Sequence, residues 1–558
     1  MDLATNKYHS RAKLLIGITL IVLSLAQTLI LYPFDFEQLV VSRRFMEDAF
    51  ISLKIAQNIS AGIGETFDGV HPTNGYQPLW VWINVPTFML FKDPVNAALA
   101  VLAISIILFH ATLALWLYVL KKKLEWLTFT AVAIVPALFP YFKLGIINGL
   151  ETPLFLFVFT IASIFIGKNL AREKIRPTLG IVAGILLAIT FYARLDSFIF
   201  SFAIGFIVLF GLRNHSLSER LKFLIAAAIT QLTLVMPFLI RNIIVHGGLM
   251  PISGAVKQWY LSSYFVTTTS YFASDEWIGP SFHYMRFLTS GIPIEKSWFH
   301  AIVLIFMCLL SIALAIYFSR KKSYILRIIA IYNVLHLFFM VFIYRENRIY
   351  TSYYFAVEAA FLSIAIVTAF AIWVERIRNN NILPLAFSLL ILTAAILQSS
   401  RSSIIDSWSG DDFSRSRYRA ALWARENTPA DAKIGAFWAG TFSYVSGKTV
   451  INLDGICNSR AFFENFVKSG SIADYIREER IDYIIDYFPE IEIVEGARIE
   501  FDTSQKRGWT SSAISPTMAE LSSELVPIIK FGNAYYVLST KREISLEESI
   551  RDARDLFR

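Results

Sequence analysis

Arg43-Arg44-Phe45-Met46-Glu47-Asp48-Ala49-Phe50-Ile51-Ser52 follows the first long apolar run of the chain, so two adjacent carboxylates stand where a membrane helix leaves the bilayer. A charged side chain inside hydrocarbon costs at least roughly 2.5 kcal/mol, and a pair held at its edge suggests chemistry on a membrane-bound substrate. From Glu47 the apolar residues Phe50, Ile51, Ile55 and Ile59 recur at helical spacing to about Ser60, which predicts a helix lying along the membrane surface. Acids in a first helical turn also favour the helix dipole, by about 0.3–1 kcal/mol. Spacing alone therefore fits two roles for the pair, a dipole-stabilising turn and a general base that takes a proton from a hydroxyl.

The surroundings are those of a polytopic membrane protein. Of 558 residues, 55% are hydrophobic and 17% charged, and the mean hydropathy is +0.53, which excludes a set of soluble domains. A pI near 9.2 would suit nucleic acid, but the basic residues sit in short clusters between apolar runs, as cytoplasmic membrane loops do. No nucleic-acid partner is expected. The two cysteines, Cys308 and Cys457, lie far apart and give neither a disulfide framework nor a cysteine-rich metal site. Leu14 to Tyr32 follows Lys7, Arg11 and Lys13, is longer than a signal h-region and lacks a small-x-small cleavage site, so it reads as an uncleaved first helix.

Apolar runs near 14–34, 94–119, 125–141, 152–167, 178–192, 197–212, 222–240, 299–319, 324–343, 350–374 and 383–398 predict eleven spans. Tyr76 to Phe91 is short and interrupted by Pro78 and Pro86, and it carries Trp80 and Trp82, which suits an interfacial or re-entrant helix. With that assignment the basic clusters at Lys121–Lys123, Lys168/Arg172/Lys174/Arg176, Arg213/Arg220/Lys222, Arg320/Lys321/Lys322/Arg327 and Arg376/Arg378 fall on the side of the amino terminus. The positive-inside rule then makes the amino terminus cytoplasmic, and the inner (cytoplasmic) membrane is the expected location. The opposite face receives the 35–93 loop, the long 241–298 loop and everything after about 399. Glu47, Asp48, Glu151, Asp196 and Glu346 collect there with Arg194, Arg241, Lys257, Arg345 and Arg348.

Residues 1–398 thus form a transmembrane module and 399–558 a soluble extracytoplasmic α/β domain. In the latter, β-rich runs at Lys433–Trp438, Thr449–Asn452, Tyr483–Asp486 and Pro527–Leu538 alternate with helical patterns at Ser416–Glu426 and Ser471–Arg480, and Gly532-Asn533 suits a hairpin turn.

Several outer constellations carry candidate chemistry. Gly62-Ile63-Gly64-Glu65-Thr66-Phe67 and Thr73-Asn74-Gly75-Tyr76 give a loop built to fold back compactly. Asn148-Gly149-Leu150-Glu151-Thr152-Pro153 fits a helix start with Pro in its first turn. Tyr192-Ala193-Arg194-Leu195-Asp196 fits a charge pair closing a loop. Arg241 and Lys257 stand near the outer end of a span, where cations suit a lipid phosphate or snorkel to the interface, and Tyr344-Arg345-Glu346-Asn347-Arg348 adds a second such cluster. His71, His246 and His283 are scattered, so no histidine metal site is expected. Acids alone could hold a hard divalent ion.

Taken in order, Glu47-Asp48-Ala49-Phe50-Ile51-Ser52, Gly62-x-Gly64-x-x-Phe67, Asn74-Gly75-Tyr76-x-x-Leu79-Trp80, Gly149-Leu150-Glu151-Thr152-Pro153-Leu154, Ala193-Arg194-x-Asp196 and Gly248-x-x-Pro251-x-x-x-x-x-Lys257 resemble GT-C superfamily glycosyltransferases. The likeness is greatest to the terminal arabinofuranosyltransferase branch. Trp423-x-x-Glu426-Asn427-Thr428-Pro429, Asp454-Gly455 and Ile481-Asp482-Tyr483 resemble the same family's outer domain. The resemblance implies an inverting enzyme that takes a sugar from a polyprenyl-phosphate donor and gives it to a cell-envelope glycan or glycolipid at the outer face. Its partners are then donor, acceptor and membrane lipid. Because the lipid phosphate leaves already charged, cationic side chains could substitute for a metal, and no cofactor or metal is expected. Family members usually carry two aspartates where this chain has Glu47-Asp48, and alignment through Ile55-Ala56 puts the catalytic aspartate on Asp48. At the later loop Pro251-Ile252-Ser253 replaces the commoner Pro-Asn-Thr, so the contacts of that Asn are lost. The resemblance implies catalytic roles for Asp48, Glu47 and Glu151, and substrate binding by Asp196, Arg194, Arg241, Lys257, Arg345, Arg348, Tyr76 and Asn74. Two other classes fit parts of the pattern: a lipid or sugar transporter or flippase, whose charged helix ends would line a cavity, and a membrane-anchored scaffold. Charges gathered on one face rather than at mid-membrane speak against the first, and eleven spans are more than an anchor needs.

Overall fold

A computed structural model describes residues 2–122, 126–212, 214–264, 309, 313, 324–340, 367, 382–401, 410–488, 491–494, 498–501, 516–533, 535–540 and 551–552. The chain divides into two compact units. One takes Met1–Pro33, Leu102–Pro237 and Thr267–Ser407, the other Phe34–Val101, Phe238–Val266 and Trp408–Arg558.

The first unit is helical. Among the described residues four helices are long and apolar enough to cross a membrane, at Arg11–Leu31, Pro94–Leu120, Thr152–Leu170 and Leu217–His246. The expected spans at 125–141, 178–192, 197–212 and 324–343 correspond to the shorter apolar helices Trp126–Leu138, Pro177–Ala193, Phe198–Gly211 and Tyr324–Phe338. At 383–398 stands the helix Ile382–Arg401, and the runs at 299–319 and 350–374 lie outside the described residues. Two helices pack through glycine: a Cβ on Gly180 or Gly184 would stand 2.4 Å from the carbonyl oxygen of Phe223 or Ala227 respectively. Close approach through small residues four apart replaces the hydrophobic drive that lipid removes. These apolar helices make the chain a multi-pass membrane protein.

The second unit holds the strands. They are β1 (Lys433–Ala436), β2 (Thr449–Asn452), β3 (Tyr483–Tyr487), β4 (Ile491–Val494), β5 (Arg498–Phe501), β6 (Val526–Phe531), β7 (Tyr535–Ser539) and β8 (Arg551–Asp552). Six form one sheet in the order β2-β1-β3-β7-β6-β8, and β4 and β5 form a separate pair. β1 runs parallel to both β2 and β3, whereas β7 runs antiparallel to β3 and β6. The sequence pattern missed β4, β5, β8 and the helix Ala439–Ser446. In that helix all eight residues are buried, so no polar face marks a helical period.

Its apolar core runs through Phe437, Ile451, Leu453, Phe462, Ile476 and Ile484 and includes Ile252, Val256 and Tyr260 of the helix Ile252–Tyr264. The helix from Glu47 to Ser60 has the expected bounds, and eight of its 14 residues are buried. Consecutive burial from Ala49 through Leu53 covers more than the one apolar stripe that a surface helix shows. Part of the cover is the helix Ala439–Ser446: a Cβ on Gly440 would stand 2.5 Å from the Glu47 carbonyl oxygen. The stretch after Tyr76 forms a helix of 13 residues, Pro78–Leu90, with Trp80 fully buried and Trp82 about half exposed.

Candidate active site

In the second unit the first turn of Glu47–Ser60 splits the acidic pair. Glu47 is drawn into the protein: Arg417 reaches its carboxylate at 2.5 Å, and Thr441 donates to it through its backbone N–H at 3.2 Å and its hydroxyl at 2.5 Å. Burial, the largest influence, pushes the Glu47 carboxyl up, and Arg417 opposes it. Both oxygens are engaged, and the helix begins at Met46 without a side-chain cap. Asp48, the next residue, keeps a side chain about one-third exposed and faces the Lys257 ammonium at 3.9 Å.

Lys257 is set in place by its own helix. Asn74 accepts from the backbone N–H of Ile252 at 2.9 Å and so satisfies one of the open donors at the start of Ile252–Tyr264. Next to it, a Cβ on Gly75 would lie 2.2 Å from the carbonyl oxygen of Ile456. Asn74→Ala should cost about 1 kcal/mol of stability, read as a drop in Tm. Gly75→Val should cost more, because backbone must move.

Arg241 pairs with Glu65, and the buried Tyr76 hydroxyl lies close to both side chains. Burial, assisted by Glu65, pushes that hydroxyl up. Arg241 therefore shares its charge with a carboxylate of the first outer loop, while its side chain stays 40% exposed. The same loop is fixed by Asp68, which accepts from the backbone of Val70 and His71 and from His71 Nδ1 at 2.6 Å.

The carboxyl ends of β2 and β3 supply two acids that a site reading of the sequence passed over. Asp486 accepts from the backbone N–H groups of Phe437 at 2.6 Å and Trp438 at 2.9 Å, and burial raises it to about 6. Asp454 is 7% exposed, accepts from Ile456 N–H at 2.9 Å, and is raised to about 7, first by burial and further by Asp48. Because its folded value exceeds the ordinary 3.8, its contribution to stability is complete below about pH 4 and is lost as pH rises through 7. Asp454→Asn should therefore stabilise the protein at pH 8, by on the order of 2–4 kcal/mol, and leave stability at pH 4 nearly unchanged. Thermal unfolding at the two pH values checks this.

In the first unit Arg194 Nε meets Asp196 at 3.0 Å, the pair expected from the sequence, and His336 Nε2 meets the other Asp196 oxygen at 3.2 Å. His336 is fully buried and stacks on Tyr332 with centroids 5.3 Å apart. Arg194 and His336 together hold Asp196 down to about 2 against its burial. Sequence reasoning missed His336, which sits in an apolar run with no local motif. Glu151 is buried at the start of Thr152–Leu170 and makes no side-chain capping bond, and Pro153 lies in the first turn. Arg345 and Arg348 lie outside the described residues. Among the described residues no group of three or more His, Cys, Asp or Glu is placed to hold a metal ion.

Residues 408–538 match a family described as a domain of unknown function (DUF8728). No curated protein matches the chain in sequence. Among solved structures, the oligosaccharyltransferase of Archaeoglobus fulgidus, tethered to an acceptor peptide containing the NVT sequon, is similar with a TM-score of 0.54 at 14% identity, over 95% of this chain and 74% of that one. ArnT from Cupriavidus metallidurans bound to undecaprenyl phosphate is similar with a TM-score of 0.52 at 11% identity, over 94% of this chain and 98% of that one. The chain thus shares the fold of these two proteins.

Proposed function

We propose that the protein is an inverting glycosyltransferase that moves a sugar from a polyprenyl-phosphate donor to a carbohydrate acceptor, a cell-envelope glycan or glycolipid, on the outer face of the inner membrane. The observation that carries the reading is the pairing of Asp48 with Lys257 at 3.9 Å on a GT-C fold. Asp48 takes the proton of the acceptor hydroxyl as its oxygen bonds to the anomeric carbon; the bond from that carbon to the phosphate oxygen breaks, and the electron pair leaves on the phosphate. Lys257 stabilises the departing charge. The leaving group is already an anion, so a fixed ammonium supplies what a metal would.

The ArnT structure with undecaprenyl phosphate supports the donor class, and the acceptor-tethered oligosaccharyltransferase supports transfer to a second substrate. Glu151, Arg194, Asp196, Arg345 and Arg348 are proposed as sugar- and phosphate-binding residues from their sequence positions. Arg241, engaged with Glu65 and Tyr76, is proposed to shape the first outer loop as much as to meet phosphate. The segment 399–558 is proposed as the outer α/β domain and the arabinofuranosyltransferase-like branch as the nearest kin.

Lys257→Gln tests the phosphate role without substrate turnover. Losing one charge-assisted contact should weaken undecaprenyl phosphate binding about tenfold or more, measured by native mass spectrometry in nanodiscs. Unchanged binding would remove Lys257 from the site.

A further inference from the structure

The loop after β2, Leu453-Asp454-Gly455-Ile456, has no part in the mechanism above, yet it is built into the same corner of the second unit. Gly455, at φ +86°, stands where a Cβ would be 3.3 Å from Val256 Cγ2, the residue before Lys257. The Ile456 carbonyl occupies the space that a side chain on Gly75 would need, directly beside the Asn74 that caps the Lys257 helix. Asp454 therefore lies between two elements that position Lys257, and its charge and that of Asp48 act on each other.

A structural task explains only part of Asp454. The turn bond from Ile456 N–H to Asp454 Oδ1 would be made equally well by an asparagine, which carries no charge to bury. An ionisable acid that is 7% exposed and close enough to Asp48 to feel its charge works against folding at neutral pH, and groups kept against stability concentrate at functional sites. Its place in the sheet agrees. β2, β1 and β3 run parallel, and open sheets of this kind bind ligands beyond the carboxyl ends of their strands, where Asp454 stands just after Asn452.

We propose that Asp454 binds a hydroxyl of the carbohydrate acceptor, so that the domain spanning 408–538 supplies acceptor recognition to the Asp48 site. The inference rests on the transfer reaction proposed above. A sugar with adjacent hydroxyls places one on the base and its neighbour on a second carboxylate; Asp454, in the loop packed against Val256 beside Lys257, which itself meets Asp48, is assigned the second. The acceptor class is then a glycan or glycolipid whose terminal sugar keeps a free hydroxyl next to the one that is glycosylated.

Asp454→Asn is the informative variant because it keeps the volume and the bond to Ile456. Methyl glycosides of mannose, galactose and arabinose serve as acceptor probes, observed by saturation-transfer NMR on the full chain in nanodiscs, and undecaprenyl phosphate binding is read separately. The expected result is glycoside signals in the wild type that fall at least about fivefold in Asp454→Asn, while undecaprenyl phosphate binds both proteins equally and the variant melts no lower than wild type. Equal glycoside signals in the two proteins, or none in the wild type, overturn the inference. Absence of undecaprenyl phosphate binding in both overturns the donor assignment instead and leaves the glycoside result to stand alone.

Discussion

Asp48→Asn should abolish sugar transfer while the protein still inserts, folds and binds undecaprenyl phosphate. The side chain is about one-third exposed and meets Lys257 at 3.9 Å, so amidation removes a weak, partly solvated ion pair worth at most about 1 kcal/mol. Removing the general base costs far more in rate. Positioned bases contribute about 10²–10⁴-fold, so turnover should fall by at least about 100-fold. The neighbour gives the contrast. Glu47→Gln should lower stability, because it leaves the buried Arg417 without its counter-charge, yet the folded protein should retain measurable transfer, because the Glu47 carboxylate is committed to Arg417 and Thr441. If Glu47→Gln were the inactive variant and Asp48→Asn the active one, the assignment within the pair would be reversed.

The largest effect on folding should come from Arg417. Its guanidinium is 5% exposed, meets Glu47 at 2.5 Å and lies 4.8 Å from the centre of the Phe413 ring. Arg417→Met leaves Glu47 buried without its counter-charge, and breaking one side of such a pair costs about 3–5 kcal/mol, a large share of the stability of a domain. The expected outcome is low recovery and a Tm lower by several degrees. Adding Glu47→Gln to Arg417→Met removes the stranded charge and should restore much of the loss, as a double-mutant cycle would show. An Arg417→Met protein as stable as wild type would mean that the ion pair does not hold the second unit together.

Local pattern carried the sequence reading where one element answers to one stretch of chain. The period of Phe50, Ile51, Ile55 and Ile59 predicted a helix from Glu47 to about Ser60, where Glu47–Ser60 stands, and β-branched runs located β1, β2 and β3 to within a residue or two. Arg194 with Asp196 was visible because the two are neighbours in the chain. Partners far apart in sequence were not visible. Arg417 finds Glu47 across 370 residues, Asn74 finds Ile252 across 178, and His336 finds Asp196 across 140. No periodicity or propensity encodes such pairings, because they are fixed by tertiary packing. The same limit hid the setting of the Glu47 helix, whose burial depends on the helix Ala439–Ser446 that the pattern did not show. Arg241 and Lys257 looked alike as outer cations, and only the partners Glu65 and Asp48 tell them apart.

The account stands most directly on the product. Purified protein in nanodiscs, given undecaprenyl-phosphate-linked mannose or arabinose and a glycolipid acceptor extract, should release free undecaprenyl phosphate and add one sugar mass to a single acceptor class, both seen by mass spectrometry. The Asp48→Asn protein should bind the same donor and release nothing. Transfer by Asp48→Asn at the wild-type rate would contradict the account, as would a wild-type protein that binds the donor lipid and releases no phosphate with either sugar.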